Sequence, residues 1–558
     1  MNHGYLEPRA AVVSVDPEGK VTVWSDNQGI FELRELVAEF MNLPLNYVKV
    51  IPVEIGGAFG GKSHQVVSPL CALLSQKTGR PVKIVMTREE VFKTQRPSPA
   101  SVITIKMGAT KDGRLTAASA TMIYDYGALY GMGGMEIVPF GSFSGLNPYR
   151  IPNLKIECYD VYTNKSPSGP YRAPTAAQAA FAVESQMDLL ARALGIDPLE
   201  FRLENAAAEG DTMVTGTPFP KIGFKETLER TREYLTQRGK LEGENRGRGV
   251  ACGFWAPASG AAGANINVNA DGTVTLVVGS VDISGTRTTL AQIIAEELGI
   301  PFENVSVVTG DTETAPFSVF SVGSMITRSL APPVCQACQD VKDQLCRKAA
   351  QQLKVKRKDV EFAHGRVQLK GMPEKYVSLA DLARGIAHFP GESPITGRGS
   401  SKGLQQSPVF TVEVADVEVD KEIGKVKVLS YIAAQDVGLA INPTLVEGQI
   451  QGAVAQGIGW ALSENYIFHK GVMQNATLLD YRMPTAADVP FVDTLLVEVG
   501  FDASPFGIRG VGEPPIVPSL AAIANAIHSA TGVRLKELPM TPEAILSSIK
   551  TRGGFSKA

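Results

Sequence analysis

One pattern occurs twice in the chain, and it narrows the possible folds more than any other feature. Residues 18–52 read EGKVTVWSDNQGIFELRELVAEFMNLPLNYVKVIP, and residues 271–310 read DGTVTLVVGSVDISGTRTTLAQIIAEELGIPFENVSVVTG. Both run from an acid–Gly pair through a V-T strand, a glycine-containing turn and a helix ending in Ala-Glu, to Leu/Ile-Pro and a V-x-V strand. The spacing from Ala38 to Val48 equals that from Ala295 to Val305. The second copy is four residues longer ahead of its helix, around Asp282–Gly285. A strand–loop–helix–strand unit used twice in 558 residues predicts an α/β (α+β) protein of two related domains rather than one long fold. The polar, glycine-rich run RGKLEGENRGRG marks the linker near residues 236–248, which divides the chain into 1–240 and 241–558. Further strands are expected at Ile266–Val268, Val274–Val278, Val412–Val419 and Val426–Ile432.

Composition removes several functional classes. A net charge of −3 without a basic stripe argues against nucleic acid. No apolar run is long enough to span a bilayer, and the N-terminus has neither a basic start nor an apolar leader, so a cytoplasmic chain is expected. Six cysteines do not make a disulfide framework in a chain of this length. Cys335, Cys338 and Cys346 are spaced for one face of a helix, and no second C-x-x-C completes a four-thiolate site. An iron–sulfur or zinc site of its own is therefore not expected.

Several loops look built for a ligand. IGGAFGGKSHQVV (residues 55–67) places four glycines ahead of a helix, where backbone N–H groups can approach an anion. Read literally, Gly56 to Ser63 also fits the phosphate loop of nucleotide triphosphatases, but no clean magnesium-binding strand follows and Phe59 is unusual in such a cradle. SGPYRAPTAAQ places Arg172 just before a long helix that opens with the capping pattern Thr175 to Gln178 and closes at Gly195. Arg172 is either a surface residue or a partner for an anionic ligand. The helix in DVGLAINPTLVEGQIQGAVAQGIGWAL carries Gln449, Gln451 and Gln456 among small residues, which suits either close helix packing or amides facing a buried polar ligand. Finally, SPFGIRGVGEPPIVPSL (residues 504–520) sets Glu513 among glycines, prolines and aliphatic residues. An acid there is either a solvent-exposed turn residue or a carboxylate held near a reaction centre.

IGGAFGGK, GPYRAP, GSVDISGTRT, GDTETAPF with GSMITR, DVGLAINP, EGQIQGAVAQGIG and GIRGVGEPP together resemble, in order, the molybdopterin-binding subunit of the xanthine dehydrogenase and aldehyde oxidase family of molybdenum hydroxylases. The matches extend from residue 3 to about residue 545. The resemblance implies a metal held by a pterin dithiolene and by no protein side chain, with the pterin as such or as its cytosine dinucleotide. It implies that Gln28 faces the metal centre, that Phe59 and Gly60 lie beside the substrate, and that Arg172 is the arginine of the YR turn. Gly323 and Ser324 fall on a loop that meets the cofactor, Gln456 on a pterin-binding glutamine, and Glu513 on the catalytic glutamate. That chemistry oxidises an aromatic N-heterocycle or an aldehyde with water as oxygen source, and electrons leave through iron–sulfur (2Fe-2S) and FAD partner subunits. A catalytically silent assembly scaffold with the same fold is the alternative, against which the intact GVGEPP loop speaks.

The departures from the family pattern are specific. Ser63 stands where xanthine-oxidising members carry a glutamate, and their purine-holding arginine is not evident in YDYGALYGMGGMEIVPFGSFSGLNPYR. No cysteine-bearing loop of the carbon monoxide dehydrogenase kind is found. The family's Met-Gly-Gln-Gly becomes Asp282-Ile283-Ser284-Gly285, so Ser284 takes the place of a cofactor-binding glutamine. The smaller domain that precedes this region in the family is expected on a separate chain, or the sequence is a fragment.

Overall fold

The computed structural model describes residues 1–128, 138–257, 259–384 and 393–554. Each copy of the repeated pattern forms one mixed four-stranded sheet, and the two sheets share a strand order. In the first, Val48–Pro52, Val21–Ser25, Ala10–Val15 and Val82–Val85 lie side by side; in the second, Val305–Thr309, Val274–Val278, Ala262–Val268 and Thr396–Ser401 do. The parallel pairs are equivalent, with Val21 opposite Val48 in one copy and Val274 opposite Val305 in the other. The helices Ile30–Met41 and Thr286–Leu298 make the crossovers.

Both crossover helices stop in the same way. Asn42 (φ 54°) and Gly299 (φ 58°) adopt left-handed caps. The next residue then donates back across the turn, Leu43 N–H to Ala38 O at 2.8 Å and Ile300 N–H to Ala295 O at 3.1 Å. This closure satisfies the last carbonyls, and Pro44 and Pro301 prevent the helix from continuing. The two units meet at a sheet edge, where Val50 N–H donates to Thr312 Oγ1 at 3.0 Å and Thr312 N–H to Val50 O at 3.1 Å.

Two further sheets position the site. One orders Ala100–Ala109, Leu115–Gly127 and Asn153–Tyr162; the other orders Val492–Val497, Val426–Asp436, Val409–Val419 and Arg246–Trp255. Against the latter lie the helices Ala176–Leu194, Pro443–Leu462 and Ser519–Thr531. Their shared core joins Ala176, Ala177 and Ala180 to Ile450, Val454, Ile516 and Leu520. The helix after GPYRAP and the helix after GVGEPP therefore pack on one sheet, which brings their N-terminal turns together.

The expected linker is shorter than its composition implies. The helix Phe224–Arg238 ends inside it, but RGRG at 246–249 is already strand. Those glycines serve packing, since a Cβ on Gly247 would lie 2.2 Å from Ala526 O and one on Gly249 2.2 Å from Ala522 O. The helix Ile326–Gln352 carries Cys335, Cys338 and Cys346, and none of the six cysteines is in a disulfide. Among the described residues, no helix is long and apolar enough to cross a membrane.

Candidate functional site

The turn before the helix Ala176–Leu194 is held in an uncommon backbone shape. Ala173 (φ 53°) and Thr175 (φ 61°) are both left-handed. Thr175 therefore makes no side-chain cap, and the expected capping box is absent: Gln178 instead donates to Ser98 Oγ at 2.8 Å. Phe59 (φ 53°) and Ser324 (φ 56°), in two other candidate loops, share this conformation. Such strain persists only where the surroundings enforce it.

The enforcing contacts converge on Arg172, which is 6% exposed. Its Nε donates to Gly512 O at 2.6 Å, one Nη to Gln456 Oε1 at 3.1 Å and the other to Gln449 O at 2.7 Å. Its backbone N–H donates to Phe59 O at 3.0 Å. Gly60 (φ 100°) closes on the same segment, because a Cβ there would lie 2.3 Å from Pro170 O. Burial pushes the guanidinium down to about 10. Of the three glutamines on the helix Pro443–Leu462, Gln449 and Gln456 meet Arg172, whereas Gln451 is exposed and faces no buried ligand.

Glu513 sits in the adjoining turn. Its Oε1 accepts from Ala173 N–H at 3.2 Å and its Oε2 from Ser324 Oγ at 3.1 Å; its own N–H donates to Ser324 Oγ at 2.8 Å. Burial raises the carboxyl above its ordinary range, while the Ala173 N–H, the Ser324 hydroxyl and the Arg172 charge pull it back. Next to Ser324, a Cβ built on Gly323 (φ 61°) would meet nothing within 4 Å, so the loop faces open space there.

Gln28 ties the first unit to the Ser324 loop. Its Nε2 donates to Ser321 O at 2.7 Å, and its Oε1 accepts from Lys62 N–H at 3.1 Å. Gln28 O accepts from Ser321 N–H at 2.7 Å. Lys62 is wholly buried, with Nζ 2.6 Å from Glu7 Oε2 and 3.1 Å from Asp26 Oδ2. A phosphate loop needs its lysine free to reach phosphate, so this geometry removes the triphosphatase reading.

Gln28, Phe59, Gly60, Arg172, Gly323, Ser324 and Glu513 thus lie on one connected set of loops, which Gln456 joins from the helix Pro443–Leu462. Ser284 stands outside its hydrogen bonds. In that second copy Asp282 Oδ1 instead caps the helix, accepting from Gly285 N–H at 2.9 Å and Thr286 N–H at 2.8 Å, while Oδ2 pairs with Arg287 Nε at 2.9 Å. The segment YDYGALYGMGGMEIVPFGSFSGLNPYR, where no purine-holding arginine is evident, includes residues 129–137, outside the described residues. Ala173, Ser321, Gln449 and Gly512 act here through backbone atoms, which no residue type announces.

Fold and site together define an α/β enzyme platform, with backbone amides, carboxamides and a carboxylate gathered between two copies of one unit. Residues 1–206 and 220–490 each match the molybdopterin cofactor-binding domain. The chain is 34% identical to the putative xanthine dehydrogenase molybdenum-binding subunit of Escherichia coli K12, over 99% of its own length and 76% of that protein. It is 30% identical to the gamma subunit of the 6-hydroxypseudooxynicotine dehydrogenase complex of Paenarthrobacter nicotinovorans, covering 99% of this chain and 73% of the other. Quinoline 2-oxidoreductase from Pseudomonas putida 86 superposes with a TM-score of 0.90 at 27% identity, covering 98% of this chain and 75% of that one. The chain belongs to the molybdopterin-binding large subunits of the xanthine dehydrogenase and aldehyde oxidase family and is a molybdenum-dependent oxidoreductase.

The residues present fit that cofactor. Asn27 and Ser280 occupy the same place counted from the paired strands Val21–Ser25 and Val274–Val278, and Asn27 Oδ1 and Ser280 Oγ are both buried without a hydrogen-bond partner. Gln28, the neighbour of Asn27, holds Ser321, two residues before Gly323, and a carboxamide such as that of Asn27 offers both donor and acceptor, as the edge of a pterin requires.

Proposed function

We propose that this subunit oxidises an aromatic N-heterocycle or an aldehyde with water as oxygen source, and that Glu513 is the proton acceptor. The observation that carries this reading is the Glu513 carboxylate, fixed by Ala173 N–H and Ser324 Oγ and held above the ordinary glutamate range by burial. A base works best when its pKa lies near the working pH. When bound, the molybdenum cofactor supplies the oxidising centre that takes two electrons from the substrate carbon. Glu513 Oε2 takes the proton of the attacking water, and Ser324 Oγ and Ala173 N–H hold the carboxylate in line. Arg172 fixes Glu513 through Gly512 and never titrates in the working range.

Gln28, Phe59, Gly60, Arg172, Ser284, Gly323, Ser324 and Gln456 form the cofactor surround in this reading, with residues 1–240 and 241–558 as its two halves. The names of similar proteins support the substrate class: quinoline 2-oxidoreductase and nicotine 6-hydroxylase act on N-heterocycles, and an aldehyde oxidoreductase of Desulfovibrio gigas superposes with a TM-score of 0.84 at 28% identity. Electrons leave through iron–sulfur and flavin subunits in the same reading, in line with relatives named as subunits of complexes. Six cysteines outside any disulfide support placement in a reducing compartment, the cytoplasm. A panel of heterocycles and aldehydes with an artificial electron acceptor tests the substrate class. Turnover of some member is expected, and a molybdenum-loaded complex inert to the whole panel contradicts it.

A further inference from the structure

Glu413 lies on the strand Val409–Val419, fully buried beneath the turn Pro514–Ile516 that follows Glu513. Its Oε2 accepts from Tyr431 OH at 2.6 Å and lies 2.8 Å from Ser519 Oγ. Its Oε1 is buried with no donor. The residues paired with it on the flanking strands are Ala251 and Ala433, and the polar groups acting on it are Tyr431 and Ser519, with no cation among them. Burial pushes the Tyr431 hydroxyl well above its ordinary range, so it stays a donor. A charged Glu413 would leave one anionic oxygen unpaired, whereas a neutral acid leaves only a carbonyl. Burial accordingly pushes the Glu413 carboxyl up to about 8.

Ser519 Oγ also lies 3.0 Å from Pro515 O. A serine hydroxyl has one proton, and two acceptors compete for it. When Glu413 is neutral, its acid proton goes to Ser519 Oγ, and the serine proton goes to Pro515 O. When Glu413 is ionised, it claims the serine proton, and the Pro515 carbonyl loses its donor. That carbonyl belongs to the turn in which Ile516 N–H holds Glu513 O at 3.2 Å. We infer that Glu413 is a positioning residue for the reaction: neutral, it holds the Glu513 turn through Ser519, and ionised, it releases that turn. The inference rests on the assignment of Glu513 as proton acceptor.

Two variants of the molybdenum-loaded complex test it, assayed from pH 6 to 9.5. Wild type is expected to lose kcat on the alkaline side with a midpoint near 8. In Glu413→Gln the carboxamide N–H donates to Ser519 at every pH, so the alkaline loss of kcat disappears. In Ser519→Ala the turn has no donor at any pH, so kcat stays at the alkaline-side value. An unchanged alkaline limb in either variant overturns the inference. Thermal unfolding gives a readout independent of turnover. The folded chain keeps a proton on Glu413 that the unfolded chain loses above the ordinary glutamate range, so wild-type stability falls as pH rises toward 8. The Tm advantage of Glu413→Gln over wild type therefore widens from pH 5 to pH 8, and a constant difference overturns the inference. Should Glu513→Gln retain turnover, the assignment of Glu513 fails while the Tm comparison still reports on Glu413.

Discussion

Arg172 and Glu513, from opposite halves of the chain, hold each other's turns in a reciprocal clasp. Arg172 Nε donates to the carbonyl of Gly512, the residue before Glu513, at 2.6 Å. Glu513 Oε1 accepts from the N–H of Ala173, the residue after Arg172, at 3.2 Å. Each side chain is thus satisfied by the backbone of the other's neighbour, and each turn opens a helix packed on the same sheet. A carboxylate positioned this way keeps its place while its charge changes.

Removing the arginine should be costly. Arg172→Gln cannot reach Gly512 O, Gln449 O and Gln456 Oε1 together, and hydrogen bonds to a charged donor contribute about 1.5–3 kcal/mol each. We expect a loss of about 3 kcal/mol or more in urea unfolding, together with reduced molybdenum content. Wild-type stability with full cofactor loading in this variant contradicts the clasp.

Two glycine substitutions separate packing from ligand space. In Gly249→Ala the new Cβ meets Ala522 O and Ala526 N, each at 2.2 Å, so destabilisation at or beyond the upper end of about 1–3 kcal/mol is expected. In Gly323→Ala nothing lies within 4 Å, and only the left-handed backbone costs about 1–2 kcal/mol. Thermal unfolding should show the first variant crippled and the second folded. Molybdenum analysis should show cofactor loss in the second if the open space over Gly323 takes the cofactor as proposed.

Lys62 separates a structural from a nucleotide-binding role. Lys62→Met removes the cation shared by Glu7 and the buried Asp26 and leaves Asp26 to Arg9, 3.3 Å away, so the cost lies below the about 3–5 kcal/mol of a fully broken buried pair. A falling Tm is expected, and wild-type protein should show no calorimetric signal with ATP and magnesium. Saturable ATP binding lost in the variant would reverse this conclusion.

The acid side of the pH profile tests the proposed role of Glu513. A proton acceptor works only when ionised, so kcat falls as pH drops through its pKa, which burial has raised. Acid loss of turnover should therefore begin above the ordinary glutamate range. A profile flat down to that range places the titrating group elsewhere.

The repeated unit was legible in the sequence because strand alternation, helix closure and the following proline are local signals. Val21 pairs with Val48 and Val274 with Val305, as the V-T and V-x-V runs imply. The clasp was not legible locally, since Arg172 and Glu513 gain meaning only when distant turns meet, and family resemblance supplied their selection. Thr175 misled because its capping pattern assumes an extended residue, and the turn forces it left-handed. RGRG misled because glycines that admit a helix look like a linker in composition. Gln451 shares a helix with Gln456 but points to solvent, a difference that small residues on every face conceal.

The central claim is that Glu513 moves the proton at a molybdenum centre, and the most direct test measures turnover and molybdenum stoichiometry on one preparation of the Glu513→Gln complex. The carboxamide keeps the acceptor for Ala173 N–H and lacks the basicity, so molybdenum content should equal wild type while kcat falls about 10²–10⁴-fold. Near-wild-type kcat at full loading would contradict the account.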